Sequence, residues 1–338
     1  MKVVHSPTHL IHHPRWEFTH GRRIYSKDVP SRATLIRDAL LASDMRIDLV
    51  PPDAYPLSRI ETLHAFVGFL RDAAATLEDD SFIYPDVFPV RRKVNRPDHQ
   101  PALAGYYCFD TGTPITRHTF EAAKSSADCA LMAADLLLEE GLVYALCRPP
   151  GHHAEREVFG GYCYFNNAAL AAHALAEHGR VAVLDIDYHH GNGTQDIFYA
   201  SSRVLTLSIH GDPAVTYPYF SGFADERGEG EGLGYNLNLP LAPGSRIETY
   251  LAALDEALSA IKRFDPQYLV VAVGFDTCRG DPAGSFDLAT RHYPAIASRI
   301  AKLGLPSLIV QEGGYRTQNL GKNAVAFLSA FGKELTDD

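Results

Sequence analysis

Two acidic residues and one histidine have the types and spacing of a metal site. Asp187 and His189 are two residues apart after a short apolar run, so on an extended chain their side chains point to the same side. Asp276 follows a second apolar run and supplies a third candidate ligand. One imidazole and two carboxylates suit Zn²⁺ or Fe²⁺ and leave a coordination position for water and substrate. An Asp-x-His pair alone is common by chance, so this hypothesis depends on the residues around it.

A pair of histidines and a tyrosine would complete a hydrolytic site. His152 and His153 stand on a loop rich in proline and glycine, and imidazole titrates in the range needed to take a proton from water and return it to a leaving amine. Asp185 and Asn192 are suitable hydrogen-bond partners for the two rings. Tyr315 follows two glycines that permit a sharp turn, and its phenol could donate to a developing oxyanion. The alternative is a set of polar loop residues with a packed tyrosine.

Short strands and helices alternate from about residue 143 onward, and they must position the residues named above. We predict strands at 143–147, 181–185, 204–209, 268–273 and 307–310, and helices at 166–178, 247–262, 293–303 and 320–331. This alternation predicts a mostly parallel sheet covered by helices on both faces. Polar residues follow each of the five strands, at the edge where open parallel sheets bind ligands. They are His152 with His153, Asp187 with His189, His210, Asp276 and Tyr315.

The N-terminal part is less regular. We predict strands at 2–5 and 47–50 and helices at 31–41, 58–77 and 119–138. The stretch at about 79–116 is rich in proline, aspartate and tyrosine and is interpreted as a long loop insertion, in a chain long enough for one large domain or two small ones. Loops of that length are usually functional or disordered. His12 and His13 are interpreted as polar loop residues.

Composition excludes several classes of function. The chain has 338 residues and a net charge of −10, which disfavours nucleic acid as a partner because no basic stripe could neutralise phosphates. No apolar run is long enough to span a bilayer, and the start does not read as a signal peptide, so we expect no membrane association. Five widely spaced cysteines fit a reduced, cytoplasmic protein better than a disulfide scaffold. They are Cys108, Cys129, Cys147, Cys163 and Cys278.

Six segments together resemble the histone-deacetylase-like branch of the arginase–deacetylase superfamily, and within it the bacterial acetylpolyamine amidohydrolases. They are RPPGHHAEREVFGGYCYFNNAA (148–169), VAVLDIDYHHGNGTQDIFY (181–199), VLTLSIHGDPAVTYPYF (204–220), RGEGEGLGYNLNLPLAPG (227–244), VGFDTCRGDP (273–282) and QEGGY (311–315). A looser likeness covers 89–116. The resemblance implies one α/β domain over residues 1–338, with an eight-stranded, mostly parallel sheet flanked by helices and a long loop insertion at about 79–116.

The resemblance also implies roles for individual residues. It assigns the metal to Asp187, His189 and Asp276, acid–base catalysis to His153 with His152 as electrostatic partner, and polarisation of the carbonyl to Tyr315. It places Tyr162 and Tyr217 in the walls of a substrate tunnel. It implies structural K⁺ or Na⁺ at two sites, one formed by Asp185, Asp187, His189, Ser208 and Ile209, the other by Phe198, Ser201, Val204 and Tyr235.

Two positions depart from the family pattern. Asn192 stands where many deacetylases have aspartate, so His153 is expected to be less basic than beside an ionised partner. Gly112 stands where some polyamine-specific relatives carry glutamate, and Asp110 is the nearby carboxylate that could replace it in the tunnel.

The sequence thus predicts a zinc-dependent deacetylase of small cationic acetylated amines, such as acetylputrescine or acetylcadaverine, that forms a homodimer. The alternative substrate is an acetyl-lysine protein or peptide. An arginase-type hydrolase would need a second aspartate two residues beyond the ligand histidine, where this chain has Gly191. A binding protein without turnover is the third hypothesis, and the intact set of ligands, histidines and tyrosine argues against it.

Overall fold

The computed structural model describes residues 1–89, 96–100 and 102–335, and within them twelve strands and ten α-helices. The strands are β1 (Lys2–Val4), β2 (Trp16–Thr19), β3 (Arg22–Tyr25), β4 (Asp48–Val50), β5 (Phe82–Ile83), β6 (Ile115–Thr116), β7 (Leu142–Ala145), β8 (Val181–Asp185), β9 (Val204–Gly211), β10 (Asn236–Leu241), β11 (Tyr268–Val273) and β12 (Ser307–Gln311). The helices are α1 (Ser31–Leu41), α2 (Ser58–Glu61), α3 (Val67–Ala75), α4 (Ala102–Tyr107), α5 (Thr119–Leu137), α6 (Asn167–Leu175), α7 (Asn192–Phe198), α8 (Ile247–Phe264), α9 (Tyr293–Ala301) and α10 (Thr317–Glu334).

Eight strands form one sheet in the order β10-β9-β8-β11-β12-β7-β1-β4, and every pairing in it is parallel. Its central strands are rich in apolar residues because helices cover both faces of the sheet. Every residue of β8 and of β12, for example, is buried. The predicted α/β fold with an eight-stranded parallel sheet in a single domain is confirmed.

Helices cover the sheet on two sides and divide the core into two apolar clusters. One cluster contains residues of α3, α5 and α6, and the other contains residues of α1, α8, α9 and α10. Alternate residues of the strands contribute to each side, as Val270 and Val271 of β11 do. The carboxyl ends of the strands are thereby held as one rigid edge, and the candidate site lies there. None of the described helices is both long and apolar enough to cross a bilayer.

Most predicted elements are found within two or three residues of their expected bounds, but one helix prediction was wrong and one strand of the sheet was not predicted. The helix predicted at 58–77 is divided into α2 and α3, because the backbone between them bonds elsewhere: Ala65 N donates to Arg156 O, and the ring of His64 accepts from Asn166 N. The eighth strand of the sheet, β10, was not predicted. It carries Pro240, which an edge strand tolerates because one side of its backbone needs no ladder partner.

The stretch predicted as a long loop at about 79–116 is only partly described, since positions 90–95 and 101 lie outside the described residues. Its described part contains more regular structure than expected. Strands β5 and β6 pair antiparallel, and α4 buries Leu103 and Tyr107 in the core. A separate hairpin of β2 and β3 turns at His20 and Gly21, both with positive φ, and forms part of the wall of the cavity described below.

Candidate active site

Three predicted metal ligands meet at the carboxyl ends of two neighbouring strands. Asp187 and His189 follow β8, and Asp276 follows β11. The Nδ1 atom of His189 lies 3.2 Å from Asp187 Oδ1 and 3.0 Å from Asp276 Oδ2. One potential ligand atom from each of the three residues lies within 4.8 Å of the other two. This spacing allows the three side chains to share one ion.

Two glycines let the backbone approach these carboxylates. The N–H of Gly313 donates to Asp187 Oδ2 at 2.7 Å. A Cβ atom at Gly313 would lie 2.5 Å from Oδ2 of both aspartates, and one at Gly274 would lie 1.9 Å from Asp187 Oδ2. Gly274 and Gly313 are therefore required by the arrangement of the two aspartates, since a side chain at either position would occupy the space of a carboxylate.

The electrostatics of the three residues fit a divalent cation. Burial and the neighbouring carboxylate of Asp187 together raise the pKa of Asp276 to about 7. Burial alone would also raise the pKa of Asp187, but His152 and His189 hold it well below its usual range. Burial lowers the pKa of His189, but hydrogen bonds to the two aspartates outweigh it and raise the pKa to about 9. Among the described residues, neither aspartate has an ion pair with lysine or arginine. An ion in this position would balance two buried carboxylates.

The paired histidines lie beside this centre with their rings 4.0 Å apart. His152 Nδ1 lies 2.9 Å from Asp185 Oδ2, and His153 Nδ1 lies 2.7 Å from Asn192 Oδ1. The Nδ2 group of Asn192 donates to Glu155 Oε1 and to His153 O, which fixes the orientation of the amide. The amide oxygen therefore accepts from His153 Nδ1, and Nε2 of that ring is left as the basic nitrogen.

The two histidines carry opposite pKa shifts. Burial lowers the pKa of His152, but the carboxylates of Asp185 and Asp187 outweigh it and raise the pKa to about 10. Burial also lowers the pKa of His153, and the neighbouring imidazoles of His152 and His189 lower it further, to well below its ordinary value. One ring of the pair is therefore cationic near neutral pH and the other is a neutral base.

Tyr315 is held by contacts that sequence reasoning did not identify. Gly314 before it has φ +115°, and the backbone N–H of Tyr315 donates to Asp281 Oδ2 at 2.7 Å. The guanidinium of Arg32, on α1, lies 4.5 Å from the centre of the Tyr315 ring and donates to the carbonyl of Gly314. Arg32 is 282 residues distant in sequence from that carbonyl. Only its burial would have identified it, and burial is not visible in the sequence.

A cavity of about 640 Å³ opens above these residues, and His153, His189 and Tyr315 line it. Its aromatic walls include the two predicted tunnel residues. Tyr217 lies edge-on to His153 at 5.0 Å, and Tyr162 lies edge-on to Tyr315 at 5.5 Å. His153, His189, Tyr315 and the two tunnel residues thus line one cavity. The remaining predicted residues are buried behind this lining: Asp187 and Asp276 contact His189, and His152 packs against His153.

Asp110, the third predicted tunnel residue, also lines the cavity but is engaged by the protein. Its Oδ2 accepts from Gly161 N at 2.6 Å and from the Tyr217 hydroxyl at 2.8 Å, and its Oδ1 accepts from Gly112 N at 2.9 Å. Gly161 has φ +60°, and a Cβ atom there would lie 2.1 Å from the His153 ring. In this arrangement Asp110 orients both a tunnel wall and the loop next to His153.

The residues predicted to hold monovalent cations lie in two groups beside the sheet. In the first, Asp185 of β8 pairs in register with Ser208 of β9, which precedes the buried Ile209, and Asp187 N donates to Asp185 Oδ1. In the second, Phe198 ends α7 and its carbonyl accepts from Ser201 N. Val204 starts β9, and Tyr235 precedes β10. The assignment of cations to these groups stays a prediction.

One histidine expectation was wrong, because His210 does not reach the cavity. It lies within β9, fully buried, and its ring is hydrogen-bonded to Ser208 Oγ and Gly222 O. His12 lies in a loop, as interpreted, but it is buried, and its ring packs edge-on against Tyr164 at 5.3 Å. Both rings have structural partners, which a single sequence cannot reveal.

The position that would hold the second metal ligand of an arginase cannot accept one. A Cβ atom at Gly191 would lie 2.2 Å from Asp185 Oδ2. An aspartate there would place its carboxylate against one that already binds His152. The geometry at Gly191 therefore leaves no room for the additional aspartate ligand that an arginase-type site requires.

Comparison with known proteins gives consistent similarities. The histone deacetylase domain model matches residues 26–331. The chain is 44% identical to acetylpolyamine amidohydrolase 2 of Pseudomonas aeruginosa over 98% of each chain. It is 43% identical to the acetylpolyamine amidohydrolase of Burkholderia pseudomallei, over 98% of this chain and 99% of that one. A crystal structure of acetylpolyamine aminohydrolase from Burkholderia pseudomallei superposes with a TM-score of 0.91 at 39% identity, covering 99% of both chains.

Proposed function

The chain belongs to the histone deacetylase family, and from that premise we propose that it is a zinc-dependent amidohydrolase that releases acetate from small acetylated amines. Acetylpolyamines such as acetylputrescine and acetylcadaverine are the proposed substrates. The observation that carries the proposal is that Asp187 and Asp276 lie within ligand-sharing distance of His189, which lines one cavity together with His153 and Tyr315. The full-length relatives named acetylpolyamine amidohydrolases support the substrate class.

Asp187, His189 and Asp276 would hold the metal, with Zn²⁺ as the proposed ion and Fe²⁺ as the other candidate. Bound there, such an ion acts as a Lewis acid toward the acetyl carbonyl and lowers the pKa of a water molecule. The three side chains are oriented before any substrate arrives. Backbone N–H groups of His189, Tyr188 and Gly313 hold the two carboxylates in place.

His153 is the proposed general base and acid. Because Asn192 holds the hydrogen on Nδ1, the free Nε2 accepts a proton from water and later delivers it to the departing amine. His152 stays cationic between Asp185 and Asp187, and its positive charge favours the negative charge that develops on the substrate. The two adjacent histidines thus have separate tasks because their partners differ.

Tyr315 is the proposed donor to the carbonyl oxygen. Burial raises the pKa of its phenol well above the ordinary value, so it remains protonated and can donate a hydrogen bond throughout the reaction. Arg32 and Asp281 fix the turn that carries it. A preorganised donor stabilises an oxyanion more than water does because it does not have to reorient.

The cavity favours a slender substrate. The rings of Tyr162 and Tyr217 would flank the methylene chain of the amine, and Asp110 keeps Tyr217 in position by accepting a hydrogen bond from its hydroxyl.

We further propose that the protein acts in the cytoplasm as a homodimer, and that K⁺ or Na⁺ stabilises the two groups of residues predicted to hold monovalent cations. These three proposals have separate tests: fractionation of cells, sedimentation velocity, and thermal unfolding in each salt.

Steady-state kinetics test the proposed reaction. One zinc-defined preparation should be assayed with acetylputrescine, acetylcadaverine, acetylspermidine and an acetyl-lysine peptide. We expect acetate release to be fastest with one of the acetylated amines. A tenfold or greater preference for the peptide would assign the protein to the alternative class, a peptide deacetylase. No acetate from any of the four would overturn the proposal.

A further inference from the structure

A charged pair lies in the cavity wall outside every motif discussed so far. Glu17 is on β2, and Lys27 follows β3 by two residues, so the hairpin brings them together. Lys27 Nζ lies 3.1 Å from Glu17 Oε1, and the backbone N–H of Lys27 donates to Glu17 Oε2 at 3.0 Å. The hydroxyl of Tyr162, a tunnel wall, donates to Glu17 Oε1 at 2.9 Å. The pair is therefore continuous with the proposed substrate path.

The two charges are unequally exposed. The side chain of Glu17 is 2% exposed and that of Lys27 is 23% exposed. The Glu17 carboxylate already accepts three hydrogen bonds, all from Lys27 and Tyr162. A molecule in the cavity therefore meets the ammonium group of Lys27 before it meets the carboxylate of Glu17.

The other carboxylate that lines the cavity is also engaged. Asp110 accepts from two backbone N–H groups and from the hydroxyl of Tyr217. Among the described lining residues, Glu17 and Asp110 are the acidic ones. Both carboxylates are therefore already hydrogen-bonded within the protein when a substrate with a terminal ammonium enters the cavity. The charge of Glu17 is also neutralised by Lys27.

We propose that Lys27 is a specificity-determining residue that weakens the preference of the cavity for a substrate with a terminal ammonium, and that Glu17 strengthens this preference. Lys27 thereby extends the substrate class to acetylated amines whose far end is neutral or a carboxylate. This inference rests on the proposed function for its substrate class. It predicts opposite responses when the two members of one ion pair are removed singly.

Three amides of matched chain length test the inference. N-acetylputrescine ends in an ammonium, N-butylacetamide in a methyl group, and 4-acetamidobutanoate in a carboxylate. The variants are Lys27→Met, which keeps the aliphatic stem, and Glu17→Gln, which keeps an oxygen to accept from Tyr162. Lys302→Met, in an exposed pair with Glu334 on the surface, is the matched control. The readouts are kcat/KM on zinc-loaded protein and Kd by titration calorimetry on metal-free protein.

The decisive quantity is the ratio of the value for N-acetylputrescine to the value for 4-acetamidobutanoate. Because the pair is partly exposed to solvent, we expect Lys27→Met to shift this ratio toward the ammonium by about fivefold to tenfold, and Glu17→Gln to shift it toward the carboxylate by a similar factor. N-butylacetamide should respond less than either charged amide. Lys302→Met should leave the ratio unchanged.

Each outcome decides between a charge-selecting pair and a structural one. Equal ratios in all proteins, or shifts of the same sign in both variants, would overturn the inference, because a merely structural pair fails in the same direction whichever member is removed. If Lys27→Met does not fold, Lys27→Gln replaces it. Binding ratios that shift in opposite directions without any turnover would support the inference and refute the proposed function. Turnover with the same ratio of N-acetylputrescine to 4-acetamidobutanoate in all proteins would support the proposed function and refute the inference.

Discussion

His152 and His153 are adjacent in the chain but differ in charge because their hydrogen-bond partners differ. Asp185, which accepts from His152, is a carboxylate, and Asn192, which accepts from His153, is a neutral amide. An acidic partner favours the imidazolium, whereas an amide does not compensate for the cost of burying a charge. The identity of one residue in each partner position therefore decides which ring can serve as the base.

Substitution of Asn192 tests this division. Asn192→Asp places a carboxylate next to Nδ1 and should raise the pKa of His153, so the acid limb of the kcat/KM profile moves to higher pH by about one unit. The variant should therefore lose activity on acidification at a pH where the wild type is still active, because its base is already protonated. Rates across a pH series with N-acetylputrescine measure the shift.

The neighbouring Glu155 sets the control for that experiment. Asn192 Nδ2 donates to Glu155 Oε1 at 2.7 Å, so an aspartate alone would face a second carboxylate. Glu155→Gln should be combined with Asn192→Asp. The new glutamine amide can then donate to the new aspartate, which replaces the hydrogen bond that Asn192 donates to Glu155 in the wild type. Gln318→Glu adds the same charge at an exposed position of α10. Superimposable pH profiles for the double variant and wild type would refute the role of Asn192.

The hydroxyl of Tyr315 is the other single group on which the proposed chemistry depends. Tyr315→Phe removes one hydrogen-bond donor and keeps the ring that packs against Arg32 and Tyr162. We expect kcat to fall by about 10²–10³, the usual cost of one oxyanion donor. Zinc content, measured by atomic emission, should stay at the wild-type value. An unchanged kcat would remove Tyr315 from the mechanism.

The loops after the strands depend on one another, since one loop supplies hydrogen bonds to the side chains of the next and leaves the space that they need. The loop after β12 contributes Gly313, whose N–H holds Asp187, and Tyr315, whose ring lines the cavity. Helix α1 reaches the same loop through Arg32, whose guanidinium donates to the carbonyls of Gly314 and Glu312. Glu312 in turn accepts from the backbone of the histidine loop, at Gly151 and His152. A change in one loop is thereby transmitted to the next.

Gly313→Ala probes this dependence. A Cβ atom at this position would lie 2.5 Å from Oδ2 of both Asp187 and Asp276, closer than real contacts allow. We expect the affinity for zinc to fall by about 10-fold to 100-fold, the range typical of a disturbed outer shell. Competition with a chelating dye measures it.

Gly68→Ala is the matched control for this substitution. Gly68 lies within α3 with nothing within 4 Å of its Cβ position, so alanine should leave zinc affinity unchanged and stabilise the fold by about 0.5–1 kcal/mol. Equal zinc affinities for the Gly313→Ala and Gly68→Ala proteins would show that the close approach at Gly313 does not serve the metal centre.

At the scale of the whole molecule, the features that could be predicted from sequence are those encoded locally. The two-residue spacing of Asp187 and His189 and the apolar runs before them already place both at one sheet edge, and β8 and β11 have the predicted bounds. Arg32 and Glu17 could not be predicted, because their importance comes from contacts made by distant segments. Strand β10 was missed since an edge strand needs no continuous apolar run.

The meeting of these residues would couple the proposed metal centre to the stability of the entire domain. Asp187 and Asp276 are both fully buried, and in the unfolded chain they are separated by 88 residues and hydrated. A divalent ion therefore binds the folded state alone, and at 100 times its Kd it should add about 2.7 kcal/mol to the free energy of unfolding. For a domain of this size we expect zinc to raise Tm by about 4 °C over metal-free protein. Scanning calorimetry of the two forms measures the difference.

Asp276→Asn should abolish the zinc-dependent rise in Tm, whereas Asp255→Asn, on the exposed surface of α8, should retain it. Equal Tm values for wild-type protein with and without zinc would mean that these carboxylates do not form a metal centre, because linkage requires any ligand of the folded state to stabilise it.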